Sequence, residues 1–236
     1  EWFGRNGKIY AKSEGAALEN LSVEWGSSEY RKDIWLMGDS YFSTVNEARW
    51  PYYLLEDGYT DYFMMGFPGR DSVSALADFK KALEFGTPKY AVWCMGMNDR
   101  DSEAAVNASW LSCYNEFISI CNEKGITPIL ATIPNTPATS DDPGRIHTFK
   151  NDIIRKSGYR YIDFATAVDA NEVGSSWAEG MLSSDTVHPD VLGAKALYAQ
   201  VLKDFPEISM RVTKTRLRVA TWNVGDFTGK GMTLGS

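Results

Sequence analysis

Ile34-Trp35-Leu36-Met37-Gly38-Asp39-Ser40 is an apolar run that breaks abruptly at a small, polar turn. A short continuous apolar segment bounded by turn residues reads as a strand buried on both faces. The pattern then repeats along the chain. A helix-like stretch, Arg49 to Glu56, precedes a second apolar run, Tyr62 to Met65, which ends in Gly66-Phe67-Pro68-Gly69. Between Ser72 and Phe85, the residues Val73, Leu76, Phe79, Ala82 and Leu83 recur at helical spacing. Tyr90 to Met95 is a third strand candidate, ending in Gly96-Met97-Asn98-Asp99.

The second half continues the alternation. Ser102 to Lys124 is predicted as a long amphipathic helix stopped by Gly125, and Ile126 to Ile133 as a fourth strand closed by Pro134. A polar loop, Asn135 to Gly144, leads to a helix over Arg145 to Lys156 and a fifth strand over Tyr161 to Phe164. After a Gly/Ser-bearing loop, Asp185-Thr186-Val187-His188-Pro189 introduces a closing helix from Val191 to Leu202. This βαβα order implies an α/β domain, a parallel sheet with helices on both faces, and ligands at the carboxyl ends of its strands.

The main domain is placed at residues 30–206 of the 236. In residues 1–29, Lys8 to Ala11 and Leu21 to Glu24 read as short strands, either edge strands or the tail of a preceding β-domain. Residues 207–236 form a C-terminal extension with a further strand pattern, Arg216 to Val224. The chain opens on Glu1-Trp2-Phe3, as a fragment or a mature product would. A net charge of -7 argues against a nucleic-acid partner, which needs a basic face. No apolar run is long enough for a membrane span. Cys94, Cys113 and Cys121 have no zinc-like spacing and read as small core residues.

Serine-based acyl chemistry needs a nucleophile, a base, a group that orients the base, and donors for the oxyanion. Ser40 lies directly after the first strand, where a turn exposes its hydroxyl. A serine after Gly-Asp also serves as an ordinary turn or cap. The chain has two histidines. His188 stands three residues after Asp185, a spacing that lets the carboxylate reach one ring nitrogen while the other faces the serine. His147, in Arg145-Ile146-His147-Thr148, reads as a surface residue. Gly69 and Asn98 follow the second and third strands, so a backbone N–H and a side-chain amide arrive at the same edge of the sheet.

These blocks resemble the SGNH (GDSL-like) hydrolases. The matching residues are Gly38-Asp39-Ser40, Gly69, Gly96-Met97-Asn98-Asp99 and Asp185-Thr186-Val187-His188-Pro189, in order across residues 30–206. The resemblance implies a three-layer αβα flavodoxin-like fold with five parallel strands in the order 2-1-3-4-5. It implies Ser40 as nucleophile, His188 as base and Asp185 as its orienting carboxylate. The oxyanion hole would be the N–H groups of Ser40 and Gly69 with the Asn98 side chain, and no metal or organic cofactor is required. Tyr41 stands where the family name has Leu, and the second block lacks the Asn often found before its first glycine. The GxSxG motif of the α/β-hydrolases is absent.

The expected reaction is hydrolysis of acyl esters, with acetyl esters on carbohydrate as the expected substrate. The loops Thr44 to Arg49, Asn135 to Gly144 and Asn171 to Ser184 should rim the site, bringing Arg49, Trp50, Arg145 and Trp177 rather than a greasy lid. The same residues would serve an acyltransferase acting on sugars, and a non-catalytic carbohydrate-binding module is the rival of another class. A polysaccharide substrate would place the protein at or outside the cell surface. Separately, Arg216 to Gly225 resembles the opening strand of an endonuclease/exonuclease/phosphatase domain, which would make this chain part of a larger multidomain protein.

Overall fold

The computed structural model describes residues 2–5, 8–11, 31–43, 46–99, 109–140, 147–171 and 177–210. At the N-terminus, β1 (Trp2–Arg5) pairs antiparallel with β2 (Lys8–Ala11). The strands predicted at Leu21–Glu24 and Arg216–Val224 lie outside the described residues.

The main sheet is built from β3 (Ile34–Gly38), β4 (Phe63–Gly66), β5 (Tyr90–Trp93), β6 (Thr127–Ala131) and β7 (Tyr161–Ile162). All neighbouring pairs are parallel, in the order β4-β3-β5-β6-β7. Counted along this sheet, that is the expected 2-1-3-4-5. The helices are α1 (Trp50–Glu56), α2 (Ser72–Ala82), α3 (Trp110–Lys124), α4 (Pro137–Ser140), α5 (Thr148–Lys156), α6 (Phe164–Ala167), α7 (Val191–Asp204) and α8 (Glu207–Met210).

The sheet buries both faces. Ile34, Leu36, Val92 and Ile129 face one cluster with Phe42, Trp50, Phe164 and Leu197. Trp35, Met37, Ala91, Trp93 and Leu130 face another with Leu76, Phe79, Trp110 and Phe117. Alternate residues of one strand thus feed opposite cores, which is why β3 reads as uninterrupted apolar sequence. Helix α2 shows the matching logic. Asp71 caps it by accepting from the Ser74 N–H at 2.8 Å, Ala75, Leu76, Phe79 and Ala82 form its buried stripe, and Lys80 and Lys81 close its last turn. Burying one such Phe is worth about 1.5–3 kcal/mol.

Several predicted boundaries move. The long central helix begins at Trp110 after Ser109, and residues 100–108 lie outside the description. The helix expected from Arg145 begins at Thr148, and Phe164 opens α6 instead of ending β7. Strand β7 stops at Ile162 because Asp163 caps that helix, its side chain accepting from the Thr166 N–H. Val73, counted in the helical stripe, is exposed at the start of α2. Among the described residues, no helix is long and apolar enough to cross a membrane.

Register decides where the chemistry gathers. Gly38 pairs with Gly66, and Met37 with Trp93, so β3, β4 and β5 end level with one another. The turns that follow them, carrying Ser40, Gly69 and Asn98, therefore open at one edge of the sheet.

Candidate active site

Ser40 begins a single turn of 3-10 helix, Ser40–Phe42, capped by Asp39, whose carboxylate accepts from the Tyr41 N–H at 2.9 Å. Phe42 drops into the core against Trp50, with ring centroids 5.0 Å apart. Ser40 is left half-buried, and its Oγ lies 2.8 Å from His188 Nε2. The other ring nitrogen, Nδ1, is 2.7 Å from Asp185 Oδ2. Three residues separated by up to 148 positions thus form one hydrogen-bonded line.

His188 arrives on a loop closed by the Leu182–Pro189 bridge, immediately before α7. Asp185 organises this loop from inside. Its Oδ1 accepts from the Val187 N–H at 2.9 Å, the His188 N–H at 2.8 Å and the Ser183 hydroxyl at 2.6 Å. Burial raises the carboxyl's pKa, but donation from the His188 N–H, the Ser183 hydroxyl, the Val187 N–H and the imidazole outweighs it. Asp185 is held well below the usual carboxylate range. Its contact at Nδ1 leaves Nε2 to accept from the serine.

The donors implied for an oxyanion stand beside this line. Gly69 has φ of 74°, a left-handed backbone that a side chain would strain, and the space over its Cα is open. Neither its N–H nor that of Ser40 is engaged in a hydrogen bond among the described residues. Asn98 donates one amide hydrogen to the Arg70 carbonyl at 3.0 Å, which leaves the second free and links the third turn to the second.

The turn that carries Asn98 is held from three sides. The Trp110 indole donates to the Met95 carbonyl at 2.7 Å, and Lys150 donates to the Gly96 carbonyl at 2.8 Å. Asp99 accepts from the Ser72 hydroxyl at 2.9 Å and the Ser72 N–H at 3.1 Å. Gly96 has φ of 138°, and a Cβ there would sit 2.4 Å from Ile133. Asp39 is fully enclosed, and burial pushes its carboxyl up to about 7 despite the Tyr41 N–H. Burial raises Asp99 too, opposed mainly by the charge of Lys150.

No family model and no curated protein matches the sequence. Solved structures do match in three dimensions. One is a putative lipolytic protein of the G-D-S-L family from Desulfitobacterium hafniense. It has a TM-score of 0.60 and 16% identity, and the match covers 73% of this chain and 98% of that one. The chain has the fold of the GDSL-type (SGNH) hydrolases. A putative acylhydrolase from Bacteroides fragilis shares that fold at a TM-score of 0.57 and 17% identity, over 76% of this chain and 87% of its own. So does a catalytic mutant of an acetylxylan esterase from Geobacillus stearothermophilus, at 0.56 and 16%, over 77% and 96%.

Three sequence expectations about the site need correction. His147 is fully buried, not on the surface. It precedes α5 where its N–H meets the Asn135 side chain at 2.9 Å, and the core closes over the ring. Trp50 and Trp177 do not rim the site. Trp50 packs between Phe42 and Phe164, and Trp177 turns its indole inward to the Asn135 carbonyl at 2.8 Å. Arg145 lies outside the described residues. The exposed aromatic at this edge is Phe67, with the Arg70 guanidinium 5.0 Å from its ring. Lys150, which the sequence reading does not single out, also faces inward, and its i,i+4 spacing to Ile154 is the one local signal of it.

Proposed function

We propose that the protein is a serine ester hydrolase in which Ser40 is the nucleophile, His188 the base and Asp185 the carboxylate that orients it. The observation that carries this reading is the line Asp185–His188–Ser40, with contacts of 2.7 and 2.8 Å. Ser40 Oγ attacks the ester carbonyl as Nε2 takes its proton, and Asp185 balances the imidazolium. The N–H groups of Ser40 and Gly69 and the free amide hydrogen of Asn98 meet the oxyanion. Collapse passes the proton from His188 to the departing alcohol and leaves an acyl-Ser40. Water, activated by the same imidazole, then releases the acid.

The proposed substrate is an acetyl ester on a carbohydrate. Supporting it is the exposed ring of Phe67, with the Arg70 guanidinium beside it, at the edge where the nucleophile turn opens. An acetylxylan esterase among the structural neighbours points the same way. The test is hydrolysis of p-nitrophenyl acetate and of longer-chain esters by the protein and its Ser40→Ala variant. Turnover should fall by roughly 10⁴-fold or more in the variant. Equal rates would reject the nucleophile, and a preference for eight-carbon or longer chains would reject the acetyl ester.

A further inference from the structure

Tyr41 is the residue at which this chain leaves the pattern that names its fold, and its side chain does something a leucine cannot. The hydroxyl donates to the carbonyl of Val187, 146 positions away and next to His188. The ring is buried, 6.0 Å from the imidazole of His188 and 6.3 Å from Trp177. Trp177 is itself fixed through its bond to Asn135. The Tyr41 backbone is held by Asp39. Tyr41 is therefore a rigid strut between the turn that carries the serine and the loop that carries the histidine.

The loop needs one. Among the described residues its other bonds are internal: Ser183 N–H to the His188 carbonyl at 2.9 Å, Thr186 N–H to the Ser183 carbonyl at 3.0 Å, Asp190 N–H to the Met181 carbonyl at 2.8 Å, and the set gathered by Asp185. They define the loop's shape but not its place relative to Ser40. Thr186 adds strain, because a β-branched residue at φ of 62° is disfavoured. Among the described residues, two hydrogen bonds cross from this loop to the nucleophile turn. One is His188 to Ser40 and the other is Tyr41 to Val187.

The proposed reaction removes the first. Once Ser40 carries an acyl group, its oxygen no longer donates to Nε2, and the imidazole must instead address water. We propose that Tyr41 is a positioning residue that keeps His188 in place through the acyl-enzyme stage by anchoring the Val187 carbonyl. This rests on the serine-hydrolase reading above. Burial also raises the phenol well above its ordinary pKa, so it remains a donor across the working range.

Tyr41→Phe deletes only the hydroxyl and keeps the ring, and Tyr41→Leu installs the residue of the family name. In Tyr41→Phe, kcat for p-nitrophenyl acetate should fall roughly tenfold and KM should fall with it, leaving kcat/KM near the wild-type value, and a burst of p-nitrophenol should reveal slowed deacylation. Tyr41→Leu should lose at least as much. Hydrogen exchange at Asp185 to His188 should quicken in both variants while exchange in β3 and β5 stays as in the wild type. Wild-type kcat in Tyr41→Phe, or unchanged exchange in the loop, would overturn the proposal, as would a drop in Tm with kcat intact. Exchange is read without any ester. If Ser40→Ala hydrolyses esters as fast as the wild type, the functional reading fails on its own, and the strut is still judged by exchange.

Discussion

The two halves of the candidate site are built on opposite plans. The turn from Met95 to Asp99 is pinned by other elements: Trp110 from α3, Lys150 from α5 and Ser72 from α2. Most of it is buried. The loop from Leu182 to Pro189 takes its shape from within, around one carboxylate whose side chain is 51% exposed, with Tyr41 as its outside tie at Val187. Their aspartates respond accordingly. Asp39 and Asp99, in the floor, are pushed up by burial, while Asp185, at the rim, is pulled down by its donors. Donors for a developing charge work best when they cannot reorganise, and a core-anchored turn supplies that. A base that exchanges protons with alcohol and water needs access to solvent, and a loop supplies that at the cost of strain.

If this contrast is right, the loop fails all at once and the floor in parts. Asp185→Ala removes the partner of Nδ1 and three loop bonds together. Its kcat should fall by about 10⁴-fold, and hydrogen exchange should show the 183–189 segment loosened while the sheet stays protected. An Asp185→Ala loss of less than tenfold would mean that the loop holds its shape and its histidine without the carboxylate.

Asn98→Ala probes the floor. The turn keeps its bonds from Trp110, Lys150 and Ser72, so Tm should change little. The kcat should nevertheless drop by about 10²–10³, the usual effect of losing one oxyanion donor. Thermal melts and ester kinetics on the same sample separate the two effects. A large fall in Tm would show that Asn98 holds the turn through Arg70, and that the contrast between floor and loop is overdrawn.

The same contrast explains what was legible in the sequence. Asp185 and His188 are three residues apart and meet within one loop, so their partnership is written locally. Ser40, Gly69 and Asn98 each follow an apolar run, and parallel register carries all three to one edge. The strut from Tyr41 to Val187 has no local signature, since it depends on how closely α7 and its entry loop approach the serine turn. Lys150 sits in, and His147 just before, a helix rich in polar residues, where the spacing of Lys150 to Ile154 is a faint signal and the tertiary packing decides which face is covered. The tryptophans are ambiguous in the sequence for a related reason. An indole can serve as a surface platform or as core, and at Trp50 and Trp177 the neighbours Phe42, Phe164 and Asn135 decide for the core.

Asp39 offers the subtlest test of the floor, through the pH dependence of stability. Its carboxyl is raised from 3.8 to about 7 in the folded protein. Between those values the folded state holds a proton that the unfolded chain has released, so stability falls as pH rises. The contribution is intact below the unfolded value and is gone once pH passes the folded one. Asp185 acts in the opposite sense, its stabilisation present above the unfolded carboxylate pKa and lost as pH falls further. Asp39→Asn keeps an oxygen for the Tyr41 N–H but cannot ionise. The variant should gain about 3 kcal/mol over the wild type between pH 4.5 and pH 7.5, most of the roughly 4 kcal/mol that the full shift would supply; the cost of burying the new amide N–H₂ is the same at both pH values and cancels. Urea unfolding of both proteins at the two pH values measures it. Parallel pH profiles would mean that Asp39 is already ionised in the fold, with the floor of the site able to carry a charge that its burial argues against.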